Sequence, residues 1–79
     1  MFHKIEKATA SADKTLSVLF ENGAVKKYDM NPVINEISIF QALSNIELFN
    51  KAKVDTGGYG ISWNDDLDIS SEELWMNGK

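Results

Sequence analysis

The stretch TLSVLFENGAVKKYDM, residues 15–30, decides the fold because it joins two strand patterns through one turn signal. Leu16, Val18 and Phe20 alternate along its first half, which places them on one face of a β-strand. Asn22-Gly23 is a strong hairpin signal and predicts a type I′ turn with positive φ at both residues. Residues 24–30 are therefore predicted to form the antiparallel return strand.

Outward from this hairpin, the chain shows further strand and turn signals. The signals predict strands at residues 2–8, 52–55 and 59–63, and turns at residues 11–14, 56–58 and 64–66. The first of these strands has few apolar residues, which is typical of a strand at the edge of a sheet. Gly60, inside the last strand, indicates a bulge or a close approach of another backbone segment.

Helical spacing replaces the strand pattern after Asn31-Pro32, because proline cannot donate to a strand ladder. We expect one short helix over residues 38–43 and a second over residues 46–51, with Asn45 as its N-cap.

A closing helix is predicted near the end of the chain. Ser70 and Glu73 have the spacing of a capping box at its start, and Glu72 and Glu73 carry charge that its dipole favours. Gly78 stands where a helix commonly ends in a left-handed residue.

This order of elements predicts the fold class. We expect one α+β domain over residues 1–79, with a small, mostly antiparallel sheet of about five strands. Two or three short helices are expected to pack on one face of that sheet. Phe20, Phe40, Phe49 and Trp63 are expected in the core.

Composition narrows the classes of function. The chain has a net charge of −4, eight dispersed lysines, no arginine and no cysteine. Without arginine or a basic face, the chain is not expected to bind nucleic acid directly. No apolar run has the length of a signal peptide or a membrane span, so we expect a cytoplasmic location and no membrane contact.

The residues that could bind a metal do not form a recognised motif. His3 is the single histidine, and with no cysteine it cannot complete a zinc site, so it is expected to be an exposed strand residue. Asp65, Asp66 and Asp68 fail the EF-hand spacing, which would place Ile69 where the loop needs glycine. They are expected to form a solvated acidic turn with at most weak contact to a cation.

Catalysis and cofactor binding also lack a signature. The GGYG run at residues 57–60 matches neither the dinucleotide motif nor the P-loop, and it reads as a glycine turn. No nucleophile has a histidine base other than His3, and a chain of this length has little volume for a cleft that desolvates a carboxyl group. We therefore expect no enzymatic activity, no catalytic residue and no cofactor.

Leu74, Trp75 and Met76 are the most suggestive residues for binding. Three consecutive apolar residues cannot all face the core from one short helix. Part of this patch is therefore predicted to contact a partner, or else the terminus is only loosely docked.

The ordered motifs FENGAVKKYDM, MNPV, ELFNKAKVD and ISWNDDLDISSEELW resemble the bacterial family named domain of unknown function 2442. The resemblance covers nearly the whole chain, with Ser71 where the family often has proline and Trp75 where it often has tyrosine. It implies a small α+β protein without an established enzymatic role. It further implies an antitoxin-like partner of a second small protein encoded nearby.

Two functions remain open at this point. The first is a module that binds a protein partner of basic character, with a homodimer also open. The second is a small-molecule or cation sensor built on the segment that starts at Gly57 and ends at Asp68.

Overall fold

The structure is a computed structural model that describes residues 3–79. Its strands are β1 (Ile5–Ala10), β2 (Thr15–Phe20), β3 (Val25–Asp29), β4 (Lys53–Val54), β5 (Gly60–Asn64) and β6 (Leu67–Ser70). Its α-helices are α1 (Asn31–Glu36), α2 (Ile46–Phe49) and α3 (Ser71–Asn77), and short 3₁₀ helices span Ser38–Ser44 and Thr56–Gly58. The predicted α+β class with antiparallel pairing is confirmed.

The first sheet has the order β1-β2-β3, so the predicted edge position of the first strand is confirmed. Leu16 and Val18 are fully buried and Phe20 nearly so. The alternation in residues 15–20 therefore marks the core face of this sheet. The predicted start of β1 at Phe2 lies outside the described residues.

The β2–β3 hairpin does not contain the predicted type I′ turn. Gly23 has a φ of 89°, but Asn22 is not among the described residues with positive φ. The Gly23 N–H donates to the Phe20 carbonyl at 2.9 Å, and the Phe20 N–H donates to the Ala24 carbonyl at 2.8 Å. This pattern is a three-residue loop with a left-handed glycine, the next most common hairpin connection.

The second sheet has the order β4-β5-β6 and accounts for the sixth strand. The strands thus divide between two three-stranded sheets, whereas a single sheet of about five strands was predicted from their number. Residues 67–70 were not predicted as a strand because four residues carry too short an alternation to stand out from a turn. Leu67 and Ile69 are buried in the core, and Asp68 and Ser70, which alternate with them, are exposed.

Two of the three α-helices, α2 and α3, lie where the sequence predicts a helix. Asn45 caps α2 as predicted, since its side chain accepts a hydrogen bond from the Glu47 N–H at 2.9 Å. Helix α1 was not predicted as a separate element, although Pro32 occupies one of its first two positions. Proline is favoured there because the first helical N–H groups lack partners inside the helix. The expected helix at residues 38–43 is a 3₁₀ helix.

Helix α3 ends at Gly78 for a reason other than the one predicted. Gly78 has a φ of −73°, so no left-handed residue ends the helix. A β-carbon at Gly78 would instead collide with the Leu74 carbonyl oxygen and lie 3.1 Å from the Lys26 β-carbon. The glycine therefore permits the chain end to lie close to β3, where the Lys79 N–H donates to the Lys27 carbonyl at 2.7 Å.

The two sheets meet where the turn at Thr56–Gly58 lies against the start of β1. A β-carbon at Gly58 would lie 2.7 Å from the Ile5 carbonyl oxygen. At Gly60 it would lie 2.7 Å from the Ile69 carbonyl oxygen, which confirms the predicted close backbone approach. The shared core contains Phe20, Tyr28, Met30, Leu43, Phe49, Ile61, Trp63 and Leu74 among other apolar residues. Phe40 is only partly buried and packs at the margin of this core.

Within residues 3–79, no helix is long and apolar enough to cross a membrane.

Candidate functional site

The candidate site begins with the cap of α3. The Ser70 side chain accepts a hydrogen bond from the Glu73 N–H at 3.2 Å, as the capping-box spacing predicts. The Glu73 carboxylate does not complete the box. It accepts instead from the Tyr28 hydroxyl at 2.9 Å and from the Asn77 side-chain amide at 2.8 Å. The pair of Tyr28 and Glu73 thereby joins α3 to β3.

Tyr28 contributes a buried phenol with a raised pKa to this pair. Its side chain is 6% exposed. Burial, followed by the hydrogen bond and the negative charge of Glu73, raises the pKa of Tyr28 to about 12. The phenol therefore stays protonated near neutral pH and donates its hydrogen bond to Glu73.

A surface groove of 360 Å³ opens beside this pair. Val33, Ile37 and Phe40 line it from the helical segment, and β6 lines it with Asp68, Ile69 and Ser70; Tyr28 and Glu73 complete it. We call it the β6 groove. Its lining is mostly apolar, and its two charged residues are both acidic. It is therefore suited to an apolar ligand that also carries positive charge.

A second hollow of 610 Å³ lies next to the β6 groove. The two share Tyr28, Val33 and Glu73, and the hollow is lined further by Thr15, Lys27, Asp29, Pro32, Asn77 and Lys79. The segment beside the groove also carries exposed apolar side chains: Ile37 is 47% exposed and Ile39 is 53% exposed. Exposed apolar side chains next to a groove are typical of a contact surface.

The predicted patch of Leu74, Trp75 and Met76 is divided by the fold. Leu74 is fully buried in the core, so it cannot contact a partner. Trp75 is partly buried and packs within its own chain. Met76 is 75% exposed and is the one residue of the three that is open to solvent. The prediction of partner contact therefore narrows to Met76 and the exposed part of Trp75.

Three side chains hold Trp75. The His3 ring stacks on it with centroids 3.9 Å apart, and the Phe20 ring meets it edge-on at 5.0 Å. The Lys26 ammonium lies 4.5 Å from the indole centroid and donates to the Trp75 carbonyl at 2.8 Å. A cation at this position satisfies a carbonyl near the end of α3 and also contacts the ring face.

His3 is not the exposed strand residue that was predicted, because it is partly buried and precedes β1. Its N–H donates to Glu72 Oε1 at 2.9 Å, and its Nδ1 lies 3.3 Å from both oxygens of the same carboxylate. The backbone hydrogen bond from His3 is the largest cause that lowers the pKa of Glu72 below its ordinary value. The sequence does not reveal this contact because the two residues are 69 positions apart.

The three aspartates of the predicted acidic turn do not converge. Asp68 lines the β6 groove, whereas Asp65 lines a separate polar hollow of 280 Å³. Asp66 is exposed in the turn, where its N–H donates to the Asn64 side chain at 2.9 Å. In the part of the chain that the structure describes, no three acidic or histidine residues are placed to hold a metal ion. The predicted weak cation contact gains no support from this arrangement.

The β6 groove was missed by sequence reasoning. Asp68 was considered as a cation ligand, Phe40 was expected in the core, and Val33 and Ile37 were not singled out. The one signal that could have found the groove is the excess of apolar residues in residues 33–40, which a short helix cannot bury on one face.

Fold and site together define a small α+β module with an apolar, acidic-rimmed groove at the end of its second sheet. The chain belongs to the family described as "Protein of unknown function (DUF2442)", whose model matches residues 5–79. The resemblance to this family in the sequence motifs is thereby confirmed.

A solved structure shares the fold. It is the "Crystal Structure of Putative DNA Binding Protein NE0471 from Nitrosomonas europaea ATCC 19718", with a TM-score of 0.82 and 18% sequence identity. The match covers 100% of this chain and 50% of that chain, so the present chain spans half the length of NE0471. Among curated proteins, none matches this chain.

Proposed function

We propose that this protein is a non-catalytic interaction module that binds a protein partner in the β6 groove. The observation that carries the proposal is the exposed apolar surface at Ile37 and Ile39 beside a groove whose charged residues are Asp68 and Glu73. Apolar contacts would supply most of the binding energy, and the acidic side chains would select a basic partner. The net charge of −4 favours the same kind of partner over long distances.

The partner that fits this proposal is the product of a neighbouring gene, with this chain as the antitoxin-like member of the pair. The support is the acidic character of the groove, which favours a basic partner, together with the gene arrangement that the resemblance in the sequence motifs implies.

Co-purification tests the proposal. The tagged chain is co-expressed with the product of the neighbouring gene, and two matched variants are compared: Ile37→Ser in the groove and Val25→Ser away from it. Val25 is 59% exposed and does not line the groove, so its variant controls for loss of an exposed aliphatic side chain. We expect stoichiometric co-purification with the parent chain and with Val25→Ser, and at least tenfold less with Ile37→Ser. Recovery of no stoichiometric partner by the parent chain would refute the proposal.

Nucleic-acid binding is a second candidate, favoured by the name of NE0471. The absence of arginine from this chain opposes it, because phosphate binding by eight dispersed lysines gives no concentrated positive surface. Fluorescence anisotropy with a random 30-base-pair duplex at low salt decides between the two. Our proposal predicts no binding by the chain alone, and salt-sensitive binding would favour the second candidate.

A small-molecule or cation sensor is a third candidate, favoured by the polar hollow at the turn of the second sheet. Lys53, Asp55, Ser62 and Asp65 supply charged and polar side chains there, and Ser62 donates to Asp55 at 2.5 Å. Titration calorimetry with calcium, magnesium and a panel of metabolites tests this candidate. Absence of heat across the panel would remove it.

A further inference from the structure

The pairing register shows that β6 has one free edge. Ile61 lies opposite Ile69, and the Ser71 N–H donates to the Tyr59 carbonyl at 2.9 Å. Hydrogen-bonded and non-bonded pairs alternate along an antiparallel ladder. Ile69 therefore directs its backbone groups toward β5, and Asp68 and Ser70 direct theirs away from it.

The outward backbone groups of Asp68 and Ser70 receive no bond from another element of the described chain. The N–H of Ser70 lacks a partner because Glu73, which would accept it in a complete capping box, binds Tyr28 and Asn77 instead. Two donors, from Asp68 and Ser70, and one acceptor, from Asp68, thus point away from the sheet. These unpaired groups allow a further strand to pair with the edge of β6.

The other long edges are obstructed. The outer strand β3 receives the Lys79 N–H at the Lys27 carbonyl, at 2.7 Å. The outer strand β1 carries a register shift between Ile5 and Lys7, and the turn at Gly58 lies against its start. Bulges, lysines and covering segments are devices that prevent strand pairing. At β6, an apolar groove lies beside the edge.

Side-chain alternation determines what kind of strand fits this edge. Ile69 faces the core, whereas the exposed Asp68 alternates with it and borders the groove at the edge of β6. An added strand would place every second side chain against Ile69 and Phe40, and the intervening ones beside Asp68. The matching pattern is an apolar residue alternating with lysine or arginine.

The charge argues against a second copy of this chain as the occupant. Two β6 strands paired about a twofold axis would bring two copies of Asp68 close together, with Asp66 and Glu73 of each copy nearby. Like charges on adjacent strands destabilise pairing, and each copy has a net charge of −4. A basic segment from another protein relieves this repulsion.

We propose that the partner binds as an extended segment that adds a strand to the free edge of β6, with alternating apolar and basic residues. This inference rests on the proposed function and specifies how the partner is recognised. Backbone bonds to Asp68 and Ser70 supply the register, the β6 groove takes the apolar side chains, and Asp68 pairs with a basic one.

Peptide titration with amide hydrogen exchange tests the inference. The probe is an eight-residue peptide of alternating valine and lysine, and its control carries N-methyl groups on the backbone nitrogens of two central lysines, which removes N–H donors at unchanged charge. The lysines are chosen because an antiparallel added strand places them opposite Asp68 and Ser70, whose backbone groups point outward. We expect the Asp68 and Ser70 amides to exchange at least tenfold more slowly with the probe and to be unaffected by the control. Asp68→Lys should weaken binding about tenfold, and Asp66→Lys, which changes the same charge in the nearby turn, by less than threefold.

Three outcomes would overturn the inference, and each is distinct from failure of the proposed function. Equal binding of the probe and the N-methylated peptide would mean that the groove takes a ligand without strand pairing. Protection of Asp68 and Ser70 in the free protein that rises with its concentration would identify a second copy as the occupant. No binding of the probe, with stoichiometric co-purification of the neighbouring gene product, would leave the interaction module standing but remove this mode of recognition.

Discussion

The two flanks of α3 differ although they are built from neighbouring residues of one seven-residue helix. On one flank, Trp75 is held by His3, Phe20 and Lys26, so the apolar surface is used within the chain. On the other flank, Glu73 holds Tyr28, and the β6 groove beside them is open. Trp75, a conspicuous apolar residue of the sequence, is thus largely covered within the chain, and the open groove lies on the other flank.

The physical cause of the difference lies in what each flank faces. The Trp75 flank faces the first sheet, where the planar rings of His3 and Phe20 and the long side chain of Lys26 contact the indole. The Glu73 flank faces the β6 groove, which no segment of residues 3–79 covers. A partner is therefore expected on the flank where the chain does not supply its own cover.

Trp75→Ala should produce the largest effect. It removes the indole from the flank of α3 that His3, Phe20 and Lys26 cover. We expect a loss of about 2–3 kcal/mol in the free energy of unfolding, since a partly buried indole in contact with three side chains is removed. Urea denaturation followed by circular dichroism measures this change.

Met76→Ala is the control for Trp75→Ala, because Met76 is 75% exposed beside it. Its cost should stay within about 0.5 kcal/mol. If Trp75→Ala were as mild as Met76→Ala, the indole would be a free surface, and the comparison of the two flanks would fail.

Tyr28→Phe should have an intermediate effect. It tests the flank of α3 that borders the β6 groove. At pH 7 we expect a loss of about 1 kcal/mol for the hydrogen bond to Glu73. In the unfolded chain the phenol ionises near pH 10, whereas in the folded protein its pKa is about 12. Its contribution is therefore complete below pH 10 and is lost as the pH rises through about 12.

Urea denaturation of the parent protein and Tyr28→Phe between pH 8 and pH 12 measures this dependence. The difference between the two proteins should shrink as the pH rises from about 10 to about 12. A difference that stays constant over that interval would show that Glu73 does not bind the Tyr28 hydroxyl.

Glu72→Gln should have the smallest effect. It tests the contact between Glu72 and His3 on the flank of α3 where Trp75 is covered. The hydrogen bond from the His3 backbone lowers the pKa of Glu72 in the folded state. The stabilisation is therefore present above the pKa of the unfolded chain and is lost as the pH falls through the lower, folded value.

Glu47→Gln is the matched control, because Glu47 holds the same second position in α2 that Glu72 holds in α3. Thermal unfolding between pH 3 and pH 7 should show a gap between parent and Glu72→Gln that closes in acid. An equal response of the two variants would attribute the effect to the helix dipole alone, without His3.

Much of the fold was predictable because its signals are local. The alternation of Leu16, Val18 and Phe20, the cap at Ser70 and the cap at Asn45 each depend on residues within a few positions. The sixth strand was missed because β6 is only four residues long. The type of turn at Asn22-Gly23 was wrong because the same dipeptide also suits a three-residue loop with one left-handed glycine.

The candidate site was much less predictable. Asp68 was noticed for its carboxylate, whereas its outward backbone groups were not, because a sequence does not show which edge of a strand stays free. The prediction at Trp75 identified a helix that carries more apolar residues than one face can bury. It could not show that His3 and Lys26 cover the indole, since these residues are 72 and 49 positions away.

The sequence by itself determined the α+β class, the central hairpin, the helix caps and the family. Each of these follows from spacing within one element, where backbone geometry imposes periods of two or about 3.6 residues. Tertiary structure alone decided that the strands form two sheets, that Trp75 is covered and that the edge of β6 is open. These features depend on which distant segments fill the space beside an element, and local periodicity carries no information about that.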